Sequence, residues 1–193
     1  MNEDRLLVIG GSAGSLQVIV AVLAALGKDY PMPVLVVLHR NNVVESSLEE
    51  LLSGRTGQVI REVEEKDPLR AGIVYISPAD YHVLVEKDRS FSLDYSERVN
   101  YSRPSIDVTF RSAADVYGEG LVALVLSGGN ADGAEGMEYV KERGGFTIVQ
   151  DPEAADVPYM PQQVLLRVQV DVVAPTDELP GIVRALGRQP PAG

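Results

Sequence analysis

Cysteine is absent from this chain, which removes disulfides, thiol nucleophiles, iron–sulfur clusters and cysteine-based structural zinc together. Histidine occurs only as His39 and His82, too few for a three-histidine centre, and no metal site is expected. No apolar run approaches the roughly 18 residues that a membrane-crossing helix needs. The opening Met1-Asn2-Glu3-Asp4-Arg5 is polar and has no signal-peptide apolar region, so the expected location is cytoplasmic, without membrane insertion. Basic runs are missing too. A formal net charge of −11 argues against an electrostatic grip on nucleic acid.

What is present reads as a globular α/β chain. Its 193 residues are 45% apolar, enough for one domain with a substantial core. Continuous apolar runs at Leu6–Ile9, Val34–Leu38 and Leu121–Leu126 suit strands buried on both faces, and Phe146–Val149 reads as a further strand. Between them, Leu16, Ile19, Val20, Leu23 and Leu26 follow helical spacing up to Gly27. Further strands are expected at Val59–Val63, Gly72–Ile76 and Val170–Val173. Helices are expected at Ser46–Leu52, from Pro104 to Gly118, and at Ala134–Arg143, Pro161–Leu166 and Glu178–Leu186. Val83–Glu86 and Ser90–Tyr95 read as an antiparallel hairpin. The expected fold is a doubly wound, mostly parallel sheet with helices on both faces and one antiparallel hairpin. Residues 1–193 are expected to form a single domain, with 188–193 a flexible tail.

The chemistry gathers at strand ends. Gly10-Gly11-Ser12-Ala13-Gly14 follows the first strand with the G-x-S-x-G spacing of a nucleophile elbow. His39 follows the second strand and Asp132 follows the Leu121–Leu126 strand. Open α/β sheets collect functional groups outside these carboxyl ends. A serine needs a base and an orienting acid to become a nucleophile. Each residue also has a plainer reading: Ser12 as the cap of the first helix, His39 as a hydrogen-bonded strand-end residue, Asp132 as a cap of its own helix. A dinucleotide fingerprint fails because Ser12 stands at its second glycine, and no phosphate-binding G-x-x-x-x-G-K-[ST] occurs.

Several further motifs accompany the elbow: Val37-Leu38-His39, Ser77-Pro78-Ala79-Asp80-Tyr81-His82, Arg103-Pro104-Ser105-Ile106-Asp107-Val108, Leu126-Ser127-Gly128 through Gly136, and Met160-Pro161. With them, nearly the whole chain resembles the catalytic domain of the chemotaxis protein-glutamate methylesterases, the CheB family. The resemblance implies Ser12 as nucleophile, His39 as base and Asp132 as orienting acid. It implies hydrolysis of glutamyl methyl esters on chemoreceptor cytoplasmic helices with release of methanol, glutamine deamidation as a second activity, and no cofactor. The backbone N–H groups of Ala13, Gly128 and Gly129 are candidates for the oxyanion. Arg40 and His82 are candidates for the substrate groove, and Asp107 is read as a favourable charge in the first turn of its helix.

Three positions depart from the family pattern. Ser15 replaces a glycine, Gly129 replaces a methionine, and Arg40 replaces a frequent methionine. The phospho-accepting receiver domain fused to many relatives has no counterpart in this sequence. A second function class therefore stays open beside the enzyme: a weakly active or non-catalytic receptor-binding module. Methanol release discriminates the two. Oligomeric state carries no signal in the sequence.

Overall fold

The structure, a computed structural model, describes residues 4–39 and 48–188. Seven strands pair in parallel: β1 (Leu6–Gly11), β2 (Val34–Leu38), β3 (Val59–Glu62), β4 (Ile73–Ile76), β7 (Leu121–Val125), β8 (Phe146–Gln150) and β9 (Val172–Ala174), in the order β3-β4-β2-β1-β7-β8-β9. The central strands are apolar throughout because both faces are covered. Leu7, Ile9, Val36 and Leu124 meet helices α1 (Leu16–Leu26), α2 (Leu48–Thr56) and α6 (Leu179–Leu186). Leu6, Val8, Val37 and Val125 meet α3 (Ile106–Tyr117), α4 (Ala134–Glu142) and α5 (Tyr159–Arg167) on the other side. Full burial of each such side chain stabilises the fold by about 1.5–3 kcal/mol. The helices following β1 and β7 lie on opposite faces, so the chain parts between these two neighbouring strands. A crevice opens there at their carboxyl ends.

Helix α1 presents Val18, Ile19, Val22, Leu23 and Leu26 to the sheet at helical spacing, and Gly27 ends it with φ 80°. On the opposite face α3 presses directly onto β1. A Cβ at Gly10 would lie 2.6 Å from the Ile106 Cγ2, so this glycine sets how closely the start of α3 approaches the strand.

Strand β5 (His82–Val85) and strand β6 (Phe91–Asp94) form the expected hairpin, but as a separate two-stranded sheet. It docks on α3 through Val83, Val85 and Phe91. Side chains of α3 satisfy its backbone: Thr109 Oγ1 donates to the Val83 carbonyl at 2.8 Å, and Val85 N–H donates to Ser112 Oγ at 3.0 Å. Helix α3 does not open at Pro104. It begins at Ile106 with Ser105 as N-cap, in extended geometry and accepting from Val108 N–H. Helix α2 runs on to Thr56, four residues beyond its expected end, with the Thr56 hydroxyl donating to the Leu52 carbonyl. Residues 46 and 47 of its expected range lie outside the described residues, as do residues 189–193 of the expected tail.

Candidate active site

Strand register explains why two residues far apart in sequence become neighbours. Gly11 of β1 stands opposite Leu38 of β2, in strands spaced about 4.8 Å apart. Ser12 and His39 are the next residue on each strand. The pairing continues past the strand ends, with His39 N–H donating to the Gly11 carbonyl at 3.2 Å and Ser12 N–H donating to the Ser127 carbonyl at 2.9 Å. Ser12 does not cap α1. The N-cap is Ser15, in ordinary right-handed geometry, with its hydroxyl donating to the Ser12 carbonyl at 2.7 Å. A serine at position 15 therefore strains nothing, and it braces the turn.

His39 is held at one nitrogen by Asp132. Nε2 lies 2.7 Å from Asp132 Oδ2, with the histidine side chain 12% exposed and the aspartate fully buried. The carboxylate has only acceptors to offer, so Nε2 is the donor of this pair, and in the neutral ring Nδ1 carries the lone pair. Asp132 does not cap its own helix. Its oxygens accept from Ile106 N–H at 2.6 Å, Asp107 N–H at 3.0 Å and the Ser105 hydroxyl at 2.8 Å, closing the N-terminus of α3. Burial alone would raise the Asp132 pKa. Its hydrogen bonds with His39, Ile106 and Asp107 outweigh that and hold it below the ordinary carboxylate range.

Asp107 does the reciprocal work. Its position at the start of α3 suggested a simple charge–dipole contact. Instead its Oδ1 accepts from Gly133 N–H at 3.0 Å and Gly136 N–H at 2.6 Å, closing the N-terminus of α4. Asn100 Nδ2 donates to its other oxygen at 2.7 Å. The exchange needs the helices very close, and Gly136 provides this: a Cβ there would lie 2.9 Å from the Asp107 Cα. Burial, then the neighbouring Asp132 charge, pushes Asp107 up to about 7. One carboxyl of the pair thus carries the charge while the other tends to keep its proton.

A cavity of about 350 Å³ lies at this end of the sheet. Ser12, Ala13 and His39 line it, with Arg98, Tyr101, Ser102 and Arg103 from the segment before α3. The Ser102 hydroxyl faces His39 Nδ1 at 3.4 Å, the long limit of a hydrogen bond. Asn130 Nδ2 donates to the same hydroxyl at 3.1 Å, and Asn130 Oδ1 accepts from Asp132 N–H at 3.1 Å. Among the described residues no hydrogen bond joins the Ser12 hydroxyl to the His39 ring. The turn carrying Tyr101 has positive φ at Asn100 (50°) and Tyr101 (63°), and the tyrosine is 94% exposed.

The remaining sequence candidates separate clearly. Ala13 lines the cavity, and its N–H has no acceptor among the described residues. Gly128 N–H is already committed to the Val157 carbonyl at 3.0 Å, so it is not a free oxyanion donor. Gly129 is not on the cavity wall. Among the described residues a Cβ there meets only Val157 Cγ1, at 3.9 Å, and none of them requires glycine sterically. His82 does not line the groove either: it is fully buried, with Nδ1 accepting from Ser105 N–H at 3.1 Å and Nε2 donating to the Glu97 carbonyl at 2.9 Å. Arg40 lies outside the described residues. Sequence reasoning missed Ser102 and Asn130, and it missed the exchanged carboxylates. Ser105 was findable as a serine just before an apolar helical stretch.

Comparisons with known proteins converge on one family. The family model described as CheB methylesterase matches residues 7–183. A relative from Leptospira interrogans is 38% identical over 179 residues, with 93% of this chain and 92% of that protein covered. A protein of Symbiobacterium thermophilum named protein-glutamate methylesterase/protein-glutamine glutaminase is 36% identical, with 95% of this chain and 51% of that longer protein covered. The crystal structure of the Thermotoga maritima CheB methylesterase catalytic domain superposes with a TM-score of 0.89 at 31% identity, covering 94% of this chain and 98% of that one. The parallel sheet, the serine turn at its rim and these matches lead to one conclusion: the chain belongs to the CheB methylesterase family.

Proposed function

We propose that this chain is a protein-glutamate methylesterase of the serine type. It would act on glutamyl methyl esters of chemoreceptor cytoplasmic helices and, by the same chemistry, on glutamine amides. The observation that carries this reading is the orientation of His39: Nε2 is held by a buried carboxylate, and Nδ1 is turned to a cavity that also takes in Ser12. In the proposed route Nδ1 takes the Ser12 proton as Oγ attacks the ester carbonyl. The imidazolium, stabilised by Asp132, returns that proton to the departing methoxide, and methanol leaves. Water then adds to the acyl-enzyme with the same histidine as base, freeing glutamate and Ser12. With glutamine the leaving group is ammonia. Ala13 N–H is the proposed oxyanion donor. No step draws on a cofactor. The route requires the Ser12–His39 contact to close as the ester binds, as such catalytic contacts tighten in the substrate complex.

The binding-module alternative drew on Ser15 and Gly129. Ser15 occupies normal helical geometry and Gly129 has open space beside it, so neither distorts the serine turn, which supports the catalytic reading. Incubation with methyl-labelled receptor fragments tests it. Methanol should appear with the native chain and vanish with Ser12→Ala, and release that survives Ser12→Ala would exclude the mechanism. No helix among the described residues is long and apolar enough to cross a membrane, and action in the cytoplasm is part of the same proposal.

A further inference from the structure

The cavity holds two cations that the ester chemistry does not use. Arg98 and Arg103 both line it, and among the described residues no aspartate or glutamate does. That is a local inversion in a chain of net charge −11. An ester or an amide is neutral and offers a guanidinium little, so two arginines beside it call for an anion elsewhere on the same substrate.

Their surroundings suit that role. Arg103 is held in place by the protein: its Nη1 donates to the Ser96 carbonyl at 2.9 Å and the Tyr95 carbonyl at 3.4 Å, and its guanidinium lies 3.9 Å above the Tyr95 ring. Its Nε–H is buried and has no partner among the described residues. Arg98 meets Asp80 at 3.6 Å, with both side chains substantially exposed, a pairing easily exchanged for another carboxylate. The nearby Asp94 is occupied by Ser96, through its N–H at 3.0 Å and its hydroxyl at 2.7 Å. Planar guanidinium forks are matched to carboxylates.

We propose that Arg98 and Arg103 form a carboxylate-binding subsite on the cavity rim, selecting glutamyl esters whose own helix carries a free carboxylate beside the ester. This rests on reading the cavity as the ester site. It also gives an acidic protein a local means of docking an acidic substrate.

Two helical peptides test it, each bearing one glutamyl γ-methyl ester and differing in whether the residue one turn away is Glu or Ala. Native protein should show kcat/KM about tenfold higher for the Glu peptide, expressed in KM, with the preference shrinking as salt rises from about 50 mM to about 500 mM. The R98Q/R103Q double variant should treat the peptides alike. A native enzyme without preference, or a preference surviving in the double variant, overturns the subsite. Anisotropy binding of both peptides to Ser12→Ala protein reads the subsite without turnover. Arginine-dependent Glu preference in binding, with no methanol from the native chain, would sink the hydrolase reading and keep the subsite. Methanol release without Glu preference would sink the subsite alone. Should the double variant fail to fold by circular dichroism, Arg98→Gln at its exposed position must still reduce the preference by about threefold, and an unchanged ratio refutes the proposal.

Discussion

The two histidines of this chain each use both ring nitrogens, His39 just past the carboxyl end of β2 and His82 as the first residue of β5. Their partners set them apart. His82 spends its nitrogens on two backbone groups, Ser105 N–H and the Glu97 carbonyl, and is fully buried. His39 spends one on Asp132 and keeps the other on a long contact at the cavity. A histidine whose proton positions are both fixed by backbone is a brace. One with a lone pair left loosely engaged is available for proton transfer.

The sharpest way to break this contrast is to remove each ring. His39→Gln should lower kcat/KM for methanol release by about 10³–10⁴ and leave the thermal midpoint nearly unchanged. His82→Leu should do the reverse. It removes the bond to the Glu97 carbonyl and leaves the buried Ser105 N–H unpaired, the latter costing about 1–3 kcal/mol, so the melting temperature falls while turnover per folded molecule stays within a few-fold. Exchange of these two outcomes would refute the assignment.

The two carboxylates sharpen it in a pH series. Asp107 is pushed up to about 7 by burial and by Asp132. Between the ordinary carboxylate range and that value, the folded protein holds a proton that the unfolded chain has released. Its share of stability therefore declines as pH rises through the window. Asp132 is lowered instead, so its share is present above the ordinary range and lost as pH falls through its folded value. Asp107→Asn should flatten the decline between about pH 4 and about pH 7, read from urea midpoints. Asn100 can turn its amide to face the new side chain. An unaltered pH slope would show that Asp107 ionises normally.

The smallest expected effect is at Ser102. Its contact with His39 Nδ1, at 3.4 Å, is too long to hold the ring strongly. Ser102→Ala should change kcat/KM by less than about tenfold, measured beside Ser12→Ala. A loss equal to that of Ser12→Ala would make Ser102 the better nucleophile.

Much of this was legible in the sequence. The apolar runs of β1 and β2 followed directly by Ser12 and His39 already implied adjacency, because parallel neighbours end at the same rim. Asp132 was legible for the same reason after β7. The plainer readings of Ser12 and Asp132 failed on where neighbouring groups point. Ser15 took the capping position, and Asp132 turned to α3 rather than to its own α4. That turning depends on α3–α4 packing at Gly136, which joins residues 25–29 positions apart and leaves no local signature. His82 and Gly128 were misread for a related reason. Burial and prior hydrogen bonding belong to the folded neighbourhood, and residue type does not encode them.

The crossed carboxylates carry a consequence for how this protein can vary. Each acid seals the helix that the other one belongs to or precedes, so losing either one loosens two segments at once. Positions 107 and 132 are thereby bound to drift together. A library randomising both at the same time and selected for folding should return couples that single-site libraries do not.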